Sequence, residues 1–290
     1  MMPQRSWTTF AIALSLAVCA THSLAARPRP IEVAYGDDPR QRVDVYLPER
    51  AQRAPLIVMV HGGGWAIGDK ANAQVVDNKV ARWLPRGAIV VSVGYRLVPL
   101  SGLKSGPDAV TPLTQADDVA RAIAKVQALA PSWGGDPQRL VLMGHSAGAH
   151  LVALVSASPT FAQRAGASTW RGTVVIDSAG LNLVGLMQRP HMRLYDRAFG
   201  ADPALWHAAS PLETLTAMAP PMLVVCSTQR TDGSCRQSDG FVAHAAELGV
   251  RAAVLEQDLN HGEVNARLGL PGPYTDAVER FFESIGLGLR

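Results

Sequence analysis

Short runs of Val, Ile and Leu alternate with helical patterns along most of this chain, and no other sequence feature restricts the fold more. Nearly unbroken apolar runs are typical of strands that are covered on both faces. Five such runs occupy residues 56–61, 88–95, 140–143, 173–176 and 222–226. Helical patterns occupy residues 112–129, 147–156 and 275–285. The alternation predicts an α/β domain whose mostly parallel central sheet carries helices on both faces.

Further β-rich segments at residues 31–35 and 41–47 precede the five runs, and a weaker one at 252–256 follows them. No linker-like shift of composition follows Pro30, so residues 26–290 are expected to form one domain. Residues 178–213 contain aromatic residues, two His and two Met without strand patterning. Ligands bind beyond the carboxyl ends of strands in open α/β sheets, so we expect this segment to form a small cap over a pocket. An ordinary surface connection with its own apolar cluster is the alternative.

The N-terminus has the pattern of a secretory signal peptide. Arg5 precedes an uncharged apolar run at residues 10–20, and Ser23 and Ala25 are the small residues that cleavage after Ala25 requires. The run is far shorter than the roughly 18 apolar residues of a spanning helix. A buried N-terminal helix and a lipoprotein anchor at Cys19 are the alternatives, although Val18 stands where such anchors prefer a small residue. We therefore expect export to the periplasm or the exterior, with no membrane span in the mature chain.

The charge composition gives no support to a nucleic-acid-binding protein. The 27 basic and 24 acidic residues are spread along the chain and give a formal charge of +3. No basic block or stripe favours a nucleic-acid partner.

Cleavage after Ala25 would remove one of the three cysteines and leave Cys226 and Cys235, an even number in a compartment that permits disulfides.

Ser146 is the central residue of a G-x-S-x-G pattern at residues 144–148. The pattern alone is common, but here an apolar strand precedes it and a helical pattern follows it. This is the setting in which a sharp turn exposes a nucleophilic serine. The two glycines are needed because the turn brings backbone and neighbouring elements close together.

A second motif, His-Gly-Gly-Gly-Trp at residues 61–65, directly follows the first apolar run. Consecutive glycines let backbone N–H groups converge on one point, as the oxyanion of a tetrahedral intermediate requires. Gly63 and Gly64 are the candidates in this loop, and Ala147 is the candidate after the nucleophile. A phosphate-binding loop is the alternative, but the patterns typical of such loops are missing. Trp65 is a candidate wall of the substrate pocket or, with equal weight, a core residue.

Together the two motifs resemble those of the α/β-hydrolase family, in the carboxylesterase branch with an H-G-G-G element. The motifs also resemble those of arylformamidase-like hydrolases. Further similarity lies at residues 95–97 and 135–137, so the resemblance covers nearly the whole mature chain. It implies the α/β-hydrolase fold, hydrolysis of carboxylic esters or small amides, and a triad in the order Ser, acid, His.

The resemblance places the catalytic base in the loop after the last strand, where His261 stands. It places the acid in the loop after the strand at 222–226, which favours Asp232. Asp239, in the following helix, and Asp177, at the end of the preceding strand, are alternatives. Asp258 is a weaker one, because it lies too near His261 in the chain to orient that ring easily.

Cys226 and Cys235 bracket Asp232. A disulfide between them would close a loop of about ten residues and hold the candidate acid in place. Two buried free thiols are the alternative.

These residues predict an exported serine hydrolase that cleaves small-molecule carboxylic esters through Ser146, His261 and Asp232. No metal or other cofactor is implied, because no cluster of His, Asp and Glu has ligand spacing. Alternatives are an arylformamidase-like amidase, a serine peptidase and a non-catalytic protein that retains the fold. The oligomeric state does not follow from the sequence.

Overall fold

A computed structural model of the chain describes residues 28–104, 106 and 109–289. The predicted signal peptide, its cleavage site and Cys19 lie outside these residues. Within the described ranges, no helix is both long and apolar enough to cross a membrane.

The described residues contain eight strands that form one sheet in the order β1-β2-β4-β3-β5-β6-β7-β8. Their bounds are β1 Ile31–Ala34, β2 Arg42–Tyr46, β3 Ala54–Val60, β4 Ile89–Val93, β5 Gly135–His145, β6 Gly172–Ile176, β7 Met222–Ser227 and β8 Ala252–Gln257. β2 pairs antiparallel with both β1 and β4, and every other neighbouring pair is parallel. The sheet is therefore mostly parallel, as the apolar runs predicted.

Helices follow most strands of the parallel part. Those of two turns or more are α1 Ala73–Trp83, α2 Pro112–Leu129, α3 Ala147–Ala157, α4 Pro159–Ala165, α6 Arg193–Phe199, α9 Ser234–Glu247 and α11 Pro273–Ser284. The shorter ones are α5 Leu183–Met187, α7 Pro203–Ala208, α8 Pro211–Thr214 and α10 Glu263–Ala266. The three helices predicted from the sequence correspond to α2, α3 and α11.

Alternate residues of the central strands enter two separate cores. Every residue of β3 is buried; Val58 belongs to one apolar cluster and its neighbour Met59 to the other. Side chains of successive strand residues point to opposite faces, so both faces of the sheet must be covered by helices. This confirms the predicted α/β fold class and explains why the strands read as unbroken apolar runs.

The segment at 178–213 lies between β6 and β7 and contains α5, α6, α7 and all of α8 except its last residue. Tyr195 and Phe199 of α6 pack against the ring of Trp65, with centroid separations of 5.6 and 4.8 Å. The segment therefore contacts the glycine-rich loop that follows β3.

Candidate active site

Ser146 lies on the turn between β5 and α3, at the carboxyl edge of the sheet. Its backbone adopts φ 56° and ψ −118°, a region that non-glycine residues rarely occupy. A hydrogen bond from the Ser146 N–H to the Ile176 carbonyl (2.9 Å) holds the turn against β6. Gly148 allows the turn to pack closely, because a Cβ there would lie 2.3 Å from the Val60 carbonyl oxygen. The turn thus has the sharp geometry that the motif predicted.

His261 lies in the loop after β8, and its Nε2 is 2.9 Å from Ser146 Oγ. The Asn260 side chain accepts hydrogen bonds from the N–H groups of Gly262 and Glu263, which fixes the start of α10. His145 Nε2 lies 2.8 Å from the His261 carbonyl oxygen. Burial lowers the pKa of His145 to about 3, so its neutral ring donates this bond near neutral pH. The structure therefore brings Ser146 and His261 together.

Asp177, directly after β6, is the carboxylate that contacts His261. Its Oδ2 lies 2.6 Å from His261 Nδ1, and its Oδ1 accepts a hydrogen bond from the Ser227 N–H at 3.0 Å. Its side chain is fully buried. Burial raises the pKa of Asp177, but the hydrogen bond with His261 and the charge of Arg230 outweigh that effect and lower it to about 2. The carboxylate is therefore ionised beside the imidazole.

Contrary to expectation, this geometry does not bring Asp232 to His261. Asp232 lies in the loop after β7, as expected, but its carboxylate is bound by Arg230, two residues earlier in the same loop. The residue of this loop that approaches His261 is Arg230, whose Nη1 lies 3.1 Å from His261 Nδ1. Asp239 lies on α9, and Asp258 accepts a hydrogen bond from Gln229.

Asp177 was one of the sequence alternatives, and a signal in the sequence supports it. Asp177 directly follows the apolar run at 173–176, and Ser146 closely follows the run at 140–143. Carboxyl ends of adjacent parallel strands lie at the same edge of a sheet. Arg230, in contrast, was not recognised from the sequence.

The glycine-rich loop lies opposite the Ser146 turn. Gly63 adopts φ 119°, and a Cβ there would lie 2.0 Å from the Ile67 carbonyl oxygen, so only glycine fits without rearrangement. Gly63, Gly64 and Ala147 line the same cavity as Ser146. The three candidate oxyanion donors thus share a cavity with Ser146.

Trp65 belongs to the core and also lines this cavity, so the two interpretations of it are compatible. Its side chain is almost fully buried, and its indole Nε1–H donates to His150 Nδ1 at 3.2 Å. His150 Nε2 in turn donates to the Ala209 carbonyl oxygen at 2.7 Å. These bonds connect the glycine-rich loop to the segment at 178–213.

The cavity has a volume of about 740 Å³. The segment at 178–213 contributes five residues to its wall, which are Ser178, Ala179, Met192, Leu194 and Tyr195. Leu194 and Met192 are apolar, whereas Asp69, Asn72 and Gln74 make another part of the wall polar. The cavity can therefore hold a small molecule of mixed polarity next to Ser146.

The disulfide expected between Cys226 and Cys235 is present and joins β7 to α9, with their Cα atoms 5.1 Å apart. In the part of the chain that the structure describes, these two sulfur atoms and Glu256 form the one group with metal-ligand spacing. The sulfur atoms are bonded to each other, which leaves neither as a thiolate ligand.

Comparison with known proteins relates the chain to esterases. A family model named BD-FAE matches residues 43–244. A probable isoprenylcysteine alpha-carbonyl methylesterase of Arabidopsis thaliana is 27% identical over 272 residues, covering 87% of this chain and 54% of the relative. Esterase LipC of Mycobacterium tuberculosis is 28% identical over 232 residues, covering 72% of this chain and 53% of LipC. The chain thus spans little more than half the length of these two relatives.

Among solved structures, apo esterase 2 of Thermogutta terrifontis superposes with a TM-score of 0.71 at 21% identity. The match covers 91% of this chain and 97% of that protein. It supports the fold.

Proposed function

The chain belongs to the BD-FAE family, a family of α/β-hydrolase esterases, and on that premise we propose that it is a serine esterase acting on small-molecule carboxylic esters. Ser146 is the proposed nucleophile, His261 the general base and Asp177 the acid. The observation that carries the proposal is the chain of short contacts through these three residues. Ser146 Oγ lies 2.9 Å from His261 Nε2, and His261 Nδ1 lies 2.6 Å from Asp177 Oδ2.

In the proposed reaction, Ser146 Oγ attacks the ester carbonyl carbon while His261 Nε2 takes the hydroxyl proton. The carbonyl π electrons move to the oxygen and form a tetrahedral oxyanion. When the intermediate collapses, the bond to the alcohol oxygen breaks, and the imidazolium returns the proton to the leaving alcohol. Water then attacks the acyl-enzyme in the same way, which releases the acid and restores Ser146.

Asp177 supports this cycle in two ways. Because its ionised carboxylate accepts the Nδ1–H of His261, it keeps Nε2 unprotonated and directed at Ser146. It also stabilises the positive charge that the imidazole gains in each half-reaction. The N–H groups of Gly63, Gly64 and Ala147 are the proposed donors to the oxyanion, where each such donor is worth about 3–4 kcal/mol of barrier.

Residues 1–25 are proposed to be a signal peptide, and residues 26–290 a single exported domain. Within it, residues 178–213 are proposed to form a cap over the cavity. The side chains that this segment contributes to the cavity wall support that role. The Cys226–Cys235 disulfide is consistent with an oxidising compartment.

A fluorophosphonate probe tests the nucleophile. We expect it to label the wild-type protein and the Ser178→Ala variant, whose replaced hydroxyl lines the same cavity, but not Ser146→Ala. Folded wild-type protein that takes no label would contradict the proposal. Turnover of short p-nitrophenyl esters, compared with turnover of N-formylkynurenine, would separate an esterase from an arylformamidase-like amidase.

A further inference from the structure

The loop between β7 and α9 brings a positive charge to the place where the family resemblance puts the acid. Arg230 Nη1 donates to the backbone oxygen of Asp177 at 2.9 Å and to Asp177 Oδ2 at 3.1 Å. The same Nη1 lies 3.1 Å from His261 Nδ1. Only 13% of the Arg230 side chain is exposed, so water screens these contacts weakly.

Asp232 binds the other side of the same guanidinium. Arg230 Nε donates to Asp232 Oδ1 at 2.9 Å, and Arg230 Nη2 donates to Asp232 Oδ2. The planar guanidinium group is thereby fixed between two carboxylates, and only one of these carboxylates contacts His261. With all three groups ionised, the cluster of Asp177, Arg230 and Asp232 carries a net charge of −1.

We propose that Arg230 is a positioning residue of this esterase, which holds Asp177 against His261 and opposes protonation of the His261 ring, and that Asp232 holds Arg230 in place and offsets its charge. The inference rests on the proposed function, because it assigns roles around the same three residues.

The contact between Arg230 and His261 cannot be a hydrogen bond while His261 Nδ1 donates to Asp177, because both nitrogen atoms then carry hydrogen. Both N–H groups instead point at Asp177 Oδ2. The guanidinium does not repel a neutral imidazole, but it repels an imidazolium at a distance of 3.1 Å. Arg230 therefore acts against the positive charge that the ring would carry.

Other titratable groups contact His261 or the residues around it. They are His145 from β5, Lys79 from α1 behind His145, Tyr195 from α6, Tyr274 from α11 and Glu263 from α10. Burial lowers the pKa of His145 to about 3 and of Lys79 to about 7, and raises that of Tyr195 to about 12 and that of Tyr274 further. The two tyrosines and His145 are thus uncharged between pH 5 and 9. None of these five residues is replaced in the variants below, although Tyr195 interacts with Arg230 and with Asp232.

Two variants should move the pH profile in opposite directions. We would measure kcat/KM for p-nitrophenyl acetate against pH. Arg230→Gln removes the cation, so the acidic limb is expected to move to higher pH by about 0.5–1 unit. Asp232→Asn leaves Arg230 uncompensated, so the limb is expected to move to lower pH by a smaller amount. A purely structural role would lower activity without these opposite shifts.

Arg230→Lys separates charge from geometry. The ammonium keeps the positive charge but cannot bind two carboxylates as a planar fork. We expect the acidic limb to stay within about 0.3 units of wild type, whereas kcat falls roughly tenfold. Arg164→Gln is the matched control, because Arg164 binds Asp117 on the surface, away from the cavity, and its profile should coincide with that of wild type.

Shifts in the same direction, or no shift in either variant, would overturn the role of Arg230. The proposed function would remain intact if the wild type is active and labelled at Ser146. Wild-type protein with neither ester turnover nor labelling would overturn both. Circular dichroism would check each fold. If Arg230→Gln did not fold, two other results would decide the role of Arg230. These are the shift of the acidic limb in Asp232→Asn and the unshifted acidic limb in Arg230→Lys.

Discussion

Among single residues, the two aspartates near the candidate base make different predictions. Asp177→Asn should lower kcat by about 10³- to 10⁴-fold, because an amide no longer holds the correct tautomer or stabilises the imidazolium. Asp232→Asn should lower kcat less than about tenfold, because it acts only through Arg230. Steady-state kinetics on a p-nitrophenyl ester at pH 8 measure both. A larger loss in Asp232→Asn than in Asp177→Asn would return the role of the acid to Asp232.

The sequence favoured Asp232, whereas the structure places Asp177 beside His261 and binds Asp232 to Arg230, and the reason is physical. Ser146 and the glycine-rich loop are defined by local motifs, because their geometry depends on neighbouring residues in the chain. The partner of His261 is 84 residues away from it, and the choice depends on which side chain fills one small space. Arg230 fills it and binds Asp232 locally, so the buried end of β6 supplies the carboxylate. An arginine two residues before a candidate acid is a signal that could have raised this possibility.

At the scale of elements, a buried lysine connects α1 to the helix that follows the candidate base. Lys79 Nζ donates to the backbone oxygen and the side-chain oxygen of Asn265 on α10, at 2.8 and 2.9 Å. Burial lowers the pKa of Lys79 from 10.5 to about 7 in the folded protein. In the unfolded chain this amine keeps its proton up to about pH 10.4, so the unfolded state binds more protons between the two values. Lys79 should therefore make stability rise with pH between about 7 and 10.

Urea unfolding at pH 7, 8 and 9 tests this slope. The difference in unfolding free energy between wild type and Lys79→Met should move in favour of wild type as the pH rises. Lys125→Met is the control, because Lys125 is exposed on α2 and its variant should keep the wild-type slope. A Lys79→Met variant with the same pH dependence as wild type would mean that the amine remains protonated in the fold.

The disulfide acts at the same scale, because it joins β7 to α9 across the loop that carries Arg230. Replacing Cys226 and Cys235 together by Ala removes a closed loop of about ten residues and should lower the free energy of unfolding by about 2–3 kcal/mol. Reduced wild-type protein should unfold at about the same urea concentration as the double variant. If the double variant matched oxidised wild type instead, the bond would add nothing to stability.

Elements differed in how well the sequence predicted them. The central strands were predicted because their apolar runs are covered on both faces. β5 extends further than its run, from Gly135, because Gly135 pairs with Ala54, and the register is irregular between Ala54 and Leu56. The helices α5 to α8 were missed because they are short and depend on caps and on packing. Asn182, for example, caps α5 by accepting the Gly185 N–H at 2.8 Å.

For the whole molecule, the parallel sheet explains why residues far apart in sequence form one site. The glycine-rich loop, Ser146, Asp177, Arg230 and His261 follow β3, β5, β6, β7 and β8, and these strands are neighbours in the sheet. Their carboxyl ends therefore meet at one edge. The strand order follows from the fold class, and this is why a sequence that predicts the fold also predicts the location of the site.

The proposed export concerns the whole chain, and the last prediction tests it. Expressed at full length in a bacterium with a periplasm, the protein should be recovered there with Ala26 as its first residue, because Ser23 and Ala25 provide a cleavage site. Cys19 is then removed, and the mature protein should contain no thiol that can be alkylated without reduction. Intact-mass measurement before and after alkylation would show both properties.

Ala25→Arg is the matched control for this prediction, because a large charged residue at the cleavage site should block processing and leave Cys19 as an alkylatable thiol. A wild-type product that begins at Cys19 and carries lipid mass would instead identify a membrane-anchored lipoprotein. A wild-type product that retains residues 1–25 would contradict export through this segment. Either result would leave the fold and the proposed chemistry unchanged, because both depend on residues after Arg27.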